Sequence, residues 1–289
     1  MKKFILLFLF TLSATAQIKG VVRDSITKEP IAYVSVWVEN KIIGASSEID
    51  GTFDINSSSD VKLQFSILGY KNKVAKINKE GLYYLVPENS IIVEVIIKNK
   101  KNSKSIKIGH SNKSNVSHLQ GKYPQILAKK FDYDSIYKAT PFLKEIEVFT
   151  KSPIEGAIFK LRILEFDSIK QLPGKSLISE DVIVKVKKGQ KKNVINVSQY
   201  NIEFPKKGIV VGVENIIVDS NKYLYSTKAM PQDVYSYAPA VVLNYVDDIK
   251  SYMFLNLKWL IREKYTLSYG RLKGQKKVIE PAINIILTN

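Results

Sequence analysis

The chain has 289 residues, 45% of them hydrophobic and none of them cysteine, with 44 Lys and Arg against 27 Asp and Glu for a formal net charge of +17. The missing cysteines exclude thiolate nucleophiles, Cys-ligated metals, disulfides and the thiol that a bacterial lipoprotein anchor acylates, while a chain of this size can build its cores without disulfides. The positive balance is carried by lysine, with Arg23, Arg162, Arg262 and Arg271 as the four arginines. That pattern fits solvated surface and blunted β edges better than a nucleic-acid groove, and leaves anionic glycan or lipid headgroups as the functional reading of the charge.

The first residues read as an export signal. Lys2 and Lys3 form a charged start, Phe4 to Leu12 an apolar stretch interrupted by Thr11, and Ala14-Thr15-Ala16 a small-residue cleavage site before Gln17. The apolar stretch is too short to span the ~30 Å hydrocarbon layer of a membrane, and no later segment is apolar and long enough to cross as a helix. Removal of Lys2 and Lys3 takes the charge from +17 to +15. The expectation is an exported protein of the periplasm, outer membrane or cell surface, with two domains.

Residues 17–98 read as one all-β unit. Ile18 to Arg23 is a first strand, Asp24 to Glu29 a polar turn closed by Pro30, and Ala32 to Val38 an alternating strand. In that strand Ala32, Val34, Val36 and Val38 fall on one face, and Tyr33, Ser35 and Trp37 on the other. Asn40 to Gly44 is a tight loop. Asp50-Gly51 is a turn, because glycine accepts positive φ without steric cost, and Thr52 to Ile55 leads out of it. Val61 to Ile67, Lys73 to Ile77, Gly81 to Val86 and Ile91 to Ile97 complete the set. Short strands at this spacing predict a β-sandwich.

Gly20-Val21, Pro30 to Val34, Gly44, Asp50-Gly51-Thr52-Phe53 and Gly69-Tyr70 together resemble the carboxypeptidase-regulatory-like domain. The resemblance implies a transthyretin-like or Ig-like sandwich. It also implies placement at the front of exported Bacteroidetes proteins, outer-membrane receptors among them. One departure is that Asp50 directly precedes Gly51, which shortens that turn.

Residues 99–122 are polar, Lys-rich and poor in aromatics, and read as a linker in which Ile106 and Ile108 have some capacity to pair. From 123 to 289 the pattern is β again. Leu143 to Phe149 and Ala157 to Leu164 are strands, and Lys170 to Ser176 is a turn around Pro173-Gly174. Asp181 to Val186 is a strand, Lys187 to Asn193 a basic turn, and Val194 to Val197 leads to a strand at Tyr200 to Pro205. Ile209 to Glu214, Tyr252 to Leu255 and Ile283 to Leu287 follow. Phe159-Lys160-Leu161-Arg162, Leu172-Pro173-Gly174, Val194 to Ile202 and Gly212-Val213-Glu214 resemble a jelly-roll-like module that follows the regulatory-like domain in some flavobacterial exported proteins. The fold class is therefore all-β, with a second, C-terminal jelly-roll-like sandwich.

The family's name invites a zinc carboxypeptidase, but such a site needs two His and a Glu, one His and the Glu being close in sequence. The chain has only His110 and His118, both in the linker stretch and neither beside a carboxylate, so they read as exposed. No G-x-S-x-G elbow and no glycine-rich phosphate loop occurs; Gly270 and Gly274, among lysines, read as a hairpin end. Asp132 and Asp134 would share a strand face and offer oxygens to Ca²⁺, with solvation as the plainer reading. Asp247-Asp248 reads as a turn or a helix's first turn. A glycosidase would need carboxylates facing each other across a cleft, which spacing in one chain does not establish. No catalytic, cofactor or metal residue is assigned.

Aromatics gather in the last third: Tyr223, Tyr225, Tyr235, Tyr237, Tyr245, Tyr252, Trp259, Tyr265 and Tyr269. Exposed, such rings stack on sugars or anchor a protein interface; buried, they fill a core. Tyr235 and Tyr237, between Pro231 and Pro239, and Trp259 are the candidate ligand contacts. Three readings follow: a non-catalytic interaction or structural module of the cell envelope with a protein or glycan partner, a carbohydrate-binding module, and a hydrolase of unfamiliar site. A row of exposed rings separates the second from the first, and a cleft of converging carboxylates would revive the third.

Overall fold

The computed structural model of the chain describes residues 17–57, 60–88, 104–111, 116–227, 230–248, 250–268 and 272–289. The export segment 1–16 and the strand expected over 91–97 lie outside the described residues. The strands form four sheets, of three, four, seven and nine members, and the only helical pieces described are short 3-10 turns. No helix among the described residues is long and apolar enough to cross a membrane. The all-β class read from the sequence is the observed one.

The N-terminal unit is two small sheets around one core. Gln17–Asp24 pairs antiparallel with Thr52–Asn56 and parallel with Leu82–Leu85. Ser35–Val38 lies between Gly44–Ser46 and Lys62–Ser66, which in turn pairs Lys73–Lys76. Period-two alternation sends Ile18, Val22, Val36, Val38, Phe53, Ile55, Leu63, Phe65, Tyr83 and Leu85 inward. The Phe65 and Tyr83 ring centroids lie 4.7 Å apart, with Phe53 against both. The motif residues have local tasks. Asp24 accepts hydrogen bonds from the Ile26 and Thr27 amides and from the Tyr70 hydroxyl (2.9 Å), which ties the Gly69-Tyr70 turn back to the first strand. Gly51 has φ +78°, and a Cβ there would stand 2.5 Å from the Val22 carbonyl oxygen.

One expected strand is shorter than its pattern. Tyr33 adopts φ +60°, so the extended chain begins at Ser35 and runs only to Val38. All four of its residues are buried, although only alternate ones face the N-terminal core.

The C-terminal unit stacks the seven-stranded sheet on the nine-stranded one. The larger core lies between them, with Leu127, Leu143, Ile146, Phe159, Leu161, Ile163, Val211, Val213, Ile283 and Ile285 inside it. Several expectations for this half are corrected. Leu172–Ser176 is a strand paired with Ile158–Asp167, because the Asp167 carboxylate accepts from the Ile169 and Lys170 amides and closes a tight turn ahead of Pro173. The basic turn expected over Lys187 to Asn193 is largely strand: Gly189–Asn196 pairs with Phe142–Ser152 over its whole length and points Lys191 and Lys192 to solvent. The Tyr200 to Pro205 strand reduces to a 3-10 turn at Ser198–Tyr200 and a single bridge between Phe142 and Glu203. Pro231 and Pro239 do not bracket a loop: Met230–Val246 is one 17-residue strand.

The stretch read as a linker is built into this unit where it is described. Ser105–Ile108 adds an edge strand to Ile283–Thr288, and Ser117–Gln120 pairs with Met230–Val246. The Ser111 amide donates to Asn284 Oδ1 at 2.9 Å, and Lys107 pairs with Glu147 at 2.5 Å.

Candidate functional site

Alternation along Ile158–Asp167 and Ile209–Asn215 sends the odd-numbered side chains into the sandwich core. Lys160, Arg162, Leu164, Val210, Gly212 and Glu214 are left for the opposite face of the seven-stranded sheet. In a free sandwich that face would meet water. Here the N-terminal unit covers part of it, and Lys160, Arg162 and Glu214 are 1%, 9% and 5% exposed.

These charges form a closed cluster. The Lys160 ammonium lies 2.7 Å from Asp181 Oδ2 and donates at 2.7 Å to the Tyr33 carbonyl. Arg162 reaches Asp181 Oδ1 at 2.6 Å through Nη1 and Glu214 Oε2 at 2.5 Å through Nε. The Ser35 hydroxyl donates to the other Glu214 oxygen at 2.7 Å. Two cations face two anions, so the cluster is neutral, which offsets a desolvation penalty of several kcal/mol per ion. Burial pulls the Lys160 ammonium below its ordinary value against the attraction of Glu214 and Asp181. For Arg162, burial pulls down but Glu214 and Asp181 outweigh it and raise the group. Burial pushes the Asp181 carboxyl up, and Lys160 and Arg162 more than reverse that.

The rest of the junction is equally specific. The Ser46 amide donates to the Ile217 carbonyl (3.1 Å), and the Ile217 amide returns a bond to the Ser46 hydroxyl (3.0 Å). The Asp219 amide donates to Glu48 Oε1 (2.7 Å). Leu68, from the turn after Lys62–Ser66, packs on the C-terminal core, and Trp37 lies 5.9 Å from the Tyr123 ring. Ser35 and Trp37 therefore occupy the face that alternation assigns to them. That face is an interface, which explains why Ser35–Val38 is buried on both sides.

Two clefts flank this junction. The first has a volume of about 490 Å³ and contains Trp259. Phe254, Trp259, Leu164, Ile126 and Leu257 form its C-terminal wall over Arg162 and Glu214, while Ser66, Lys71, Asn72 and Glu88 belong to its N-terminal wall. The half-buried Phe254 and Trp259 rings stand 5.0 Å apart at 56°, a corner rather than a flat platform. The second cleft, about 980 Å³, runs between Gln17–Asp24 and Thr52–Asn56 on one side and Tyr123, Asp219, Lys222 and Tyr237 on the other.

The three candidate aromatics are thus not brought together. Trp259 lines the first cleft. Tyr237, half-buried, lines the second, where burial and then Asp219 and Glu48 raise its phenol. Tyr235 lines neither; it is 50% exposed opposite Leu224 in the strand register, with the Lys222 ammonium 4.5 Å from its ring centre. Sequence reasoning missed Phe254 as the partner of Trp259, although Phe254 and Trp259 face each other across the hairpin whose turn is Asn256 and Leu257, both at positive φ. It also missed the whole N-terminal wall.

The other candidates have structural tasks. Asp134 caps the 3-10 turn Ser135–Ala139 through the Ile136 amide, while Asp132 follows its strand and pairs with Lys130 and Lys250, so the two share no face. Asp247 pairs with Lys277. His110 is exposed as expected, but His118 is half-buried with its ring 2.9 Å from the Gln125 amide, and burial and then Arg262 lower it. Gly274 sits in a turn at φ +84°, and Gly270 and Tyr269 lie outside the described residues. No group of three or more His, Cys, Asp or Glu among the described residues is placed to hold a metal ion. Glu214, the buried carboxylate at the first cleft, has both oxygens engaged.

Residues 18–97 match the family model of the CarboxypepD_reg-like domain, in agreement with the resemblance carried by Gly20-Val21, Asp50-Gly51 and Gly69-Tyr70. A crystal structure from Bacteroides uniformis, of a protein provisionally described as carbohydrate binding, is similar at 12% identity and a TM-score of 0.21, over 78% of this chain and 97% of that one. No curated protein matches the chain.

Proposed function

From a chain that carries a CarboxypepD_reg-like domain docked on a second sandwich, we propose an exported, non-catalytic binding protein of the cell envelope that takes a carbohydrate in the cleft at Phe254 and Trp259. The observation that carries this reading is the half-exposed aromatic corner in a cleft of about 490 Å³, inside the range of small-ligand sites. Aromatic faces stack on the C–H faces of sugar rings, and polar groups around them hold the hydroxyls. A tilted corner fits a soluble chain or a chain end and does not match a flat crystalline surface. The engagement of both Glu214 oxygens supports a non-catalytic role, since a general acid or base must be free to meet its substrate. Export rests on Lys2, Lys3, the apolar run from Phe4 to Leu12 and Ala14-Thr15-Ala16.

A second reading, a protein partner, is favoured by the hairpin of Lys222–Thr227 and Met230–Val246, where Leu224, Val234 and Tyr235 are 56%, 37% and 50% exposed. A glycan array probed with the mature protein, Trp259→Ala and the Tyr235→Ala/Tyr237→Ala double variant separates the two. Glycan signal lost in Trp259→Ala alone supports the carbohydrate reading. No glycan signal, with an envelope protein captured by wild type and lost in the double variant, replaces it with the second. Fractionation that leaves the protein in the cytoplasm would refute export.

A further inference from the structure

The two walls of the first cleft differ in a way that assigns them different tasks. On the C-terminal wall the polar side chains already have protein partners. Arg162 is bonded to Glu214 and Asp181, Gln125 contacts His118, and Ser176 donates to the Ile178 carbonyl. What this wall offers a ligand is apolar area: Phe254, Trp259 and Leu164. On the N-terminal wall the reverse holds. Ser66, Lys71 and Asn72 line the cleft, and their side chains make no hydrogen bond or ion pair among the described residues. Lys71 and Asn72 are exposed and Ser66 half-buried, so all three reach the cleft's water.

The backbone that carries the free groups is held in place. They flank the Leu68 turn, whose leucine packs against the C-terminal core, and Ser66 is paired in strand register with Ser35, itself bonded to Glu214. A polar group on a fixed frame loses little entropy on binding, which is what makes a hydrogen bond selective. Lys71 and Glu88, one of each sign, line the same wall, so its free charges balance.

We infer that the regulatory-like domain supplies the specificity of the site: Ser66, Lys71 and Asn72 read the hydroxyls of a neutral sugar whose ring stacks on Phe254 and Trp259. This rests on the carbohydrate reading and adds to it that neither sandwich holds the site alone. The N-terminal domain is half of the receptor, not a spacer in front of it.

The test is titration of the full mature chain with soluble neutral oligosaccharides chosen from the array (β-glucan, xylan and mannan fragments), comparing wild type, Ser66→Ala, Asn72→Ala and Trp259→Ala. Trp259→Ala should abolish binding to all of them. Asn72→Ala and Ser66→Ala should each weaken binding about five- to tenfold, the loss of one hydrogen bond, by factors that differ between glycans. Their thermal unfolding should stay at the wild-type midpoint. If Trp259→Ala loses binding while Ser66→Ala and Asn72→Ala match wild type on every glycan, the inference is wrong and the carbohydrate reading stands. If wild type binds no oligosaccharide, the carbohydrate reading falls and takes the inference with it.

Discussion

Ser35 Oγ and Glu214 Oε1 are 2.7 Å apart across 179 residues of chain, both side chains buried, one on each sandwich. The bond is one of several that hold the N-terminal unit on the seven-stranded sheet, beside Ser46–Ile217, Glu48–Asp219 and Lys160–Tyr33. Glu214 is 5% exposed, so this hydroxyl from the other domain helps to fix its orientation and through it that of Arg162.

Replacing Ser35 with Ala should therefore cost about 1.5–3 kcal/mol, the range for a hydrogen bond to a charged acceptor that is left buried and unmet. The midpoint of urea unfolding should fall with little change in slope. A Ser35→Thr variant, which keeps the hydroxyl, should recover much of the loss. An unchanged midpoint in Ser35→Ala would mean that the Ser35–Glu214 contact does not hold the junction.

The Lys160 cluster should behave as a unit. Lys160→Met leaves Asp181 with Arg162 alone and the Tyr33 carbonyl without its donor, and breaking a buried pair in this way costs about 3–5 kcal/mol. Asp181→Asn alone should also destabilise, because it strands Lys160. The two changes together should cost less than their sum, since each removes the other's uncompensated charge. Additive losses in the double-mutant cycle would show that the two side chains act independently.

Gly51→Ala probes the turn that carried the family resemblance. At φ +78°, with a Cβ placed 2.5 Å from the Val22 carbonyl oxygen, the strand pair Gln17–Asp24 and Thr52–Asn56 has to shift. A loss of about 1–3 kcal/mol is expected, read as a lower thermal midpoint.

The N-terminal fold was legible because its signals are local: Asp50-Gly51 names its own turn, and alternation names its own strands. What stayed hidden depends on pairing. Lys187 to Asn193 looks like a basic turn until Phe142–Ser152 lies beside it, and Leu172–Ser176 contains a Pro-Gly that is legible as a strand only once Asp167 has closed the preceding turn. Of the site, Trp259 was legible as an aromatic in an aromatic-rich region. Ser66 and Asn72 carry no signal in sequence, since a serine and an asparagine beside a turn are ordinary. They gain meaning only because Leu68 between them packs against the other domain's core.

Acid should release the strand Ser105–Ile108 first. Burial pushes the Glu147 carboxyl up, but hydrogen bonds from Lys107, Asn284 and Lys192 outweigh it and hold the group at about 2, against an ordinary 4.5. A carboxyl depressed in the folded state contributes stability that is fully present above its unfolded value. That contribution decays as pH falls from 4.5 towards 2 and is gone below both. A shift of this size corresponds to about 3 kcal/mol over the window. Lys107 lies on Ser105–Ile108 and Asn284 on the strand it pairs with, so protonating Glu147 removes the polar tie between them. Hydrogen-exchange protection at 105–108, taken relative to the intrinsic rate at each pH, should fall through this window before protection in Ile209–Asn215 does. Glu147→Gln should be less stable at neutral pH and lose this part of the acid dependence, although the other depressed carboxylates, Asp24, Asp132 and Asp181 among them, keep their own. If exchange at 105–108 in Glu147→Gln keeps the wild-type pH profile, the tie is not what holds that strand.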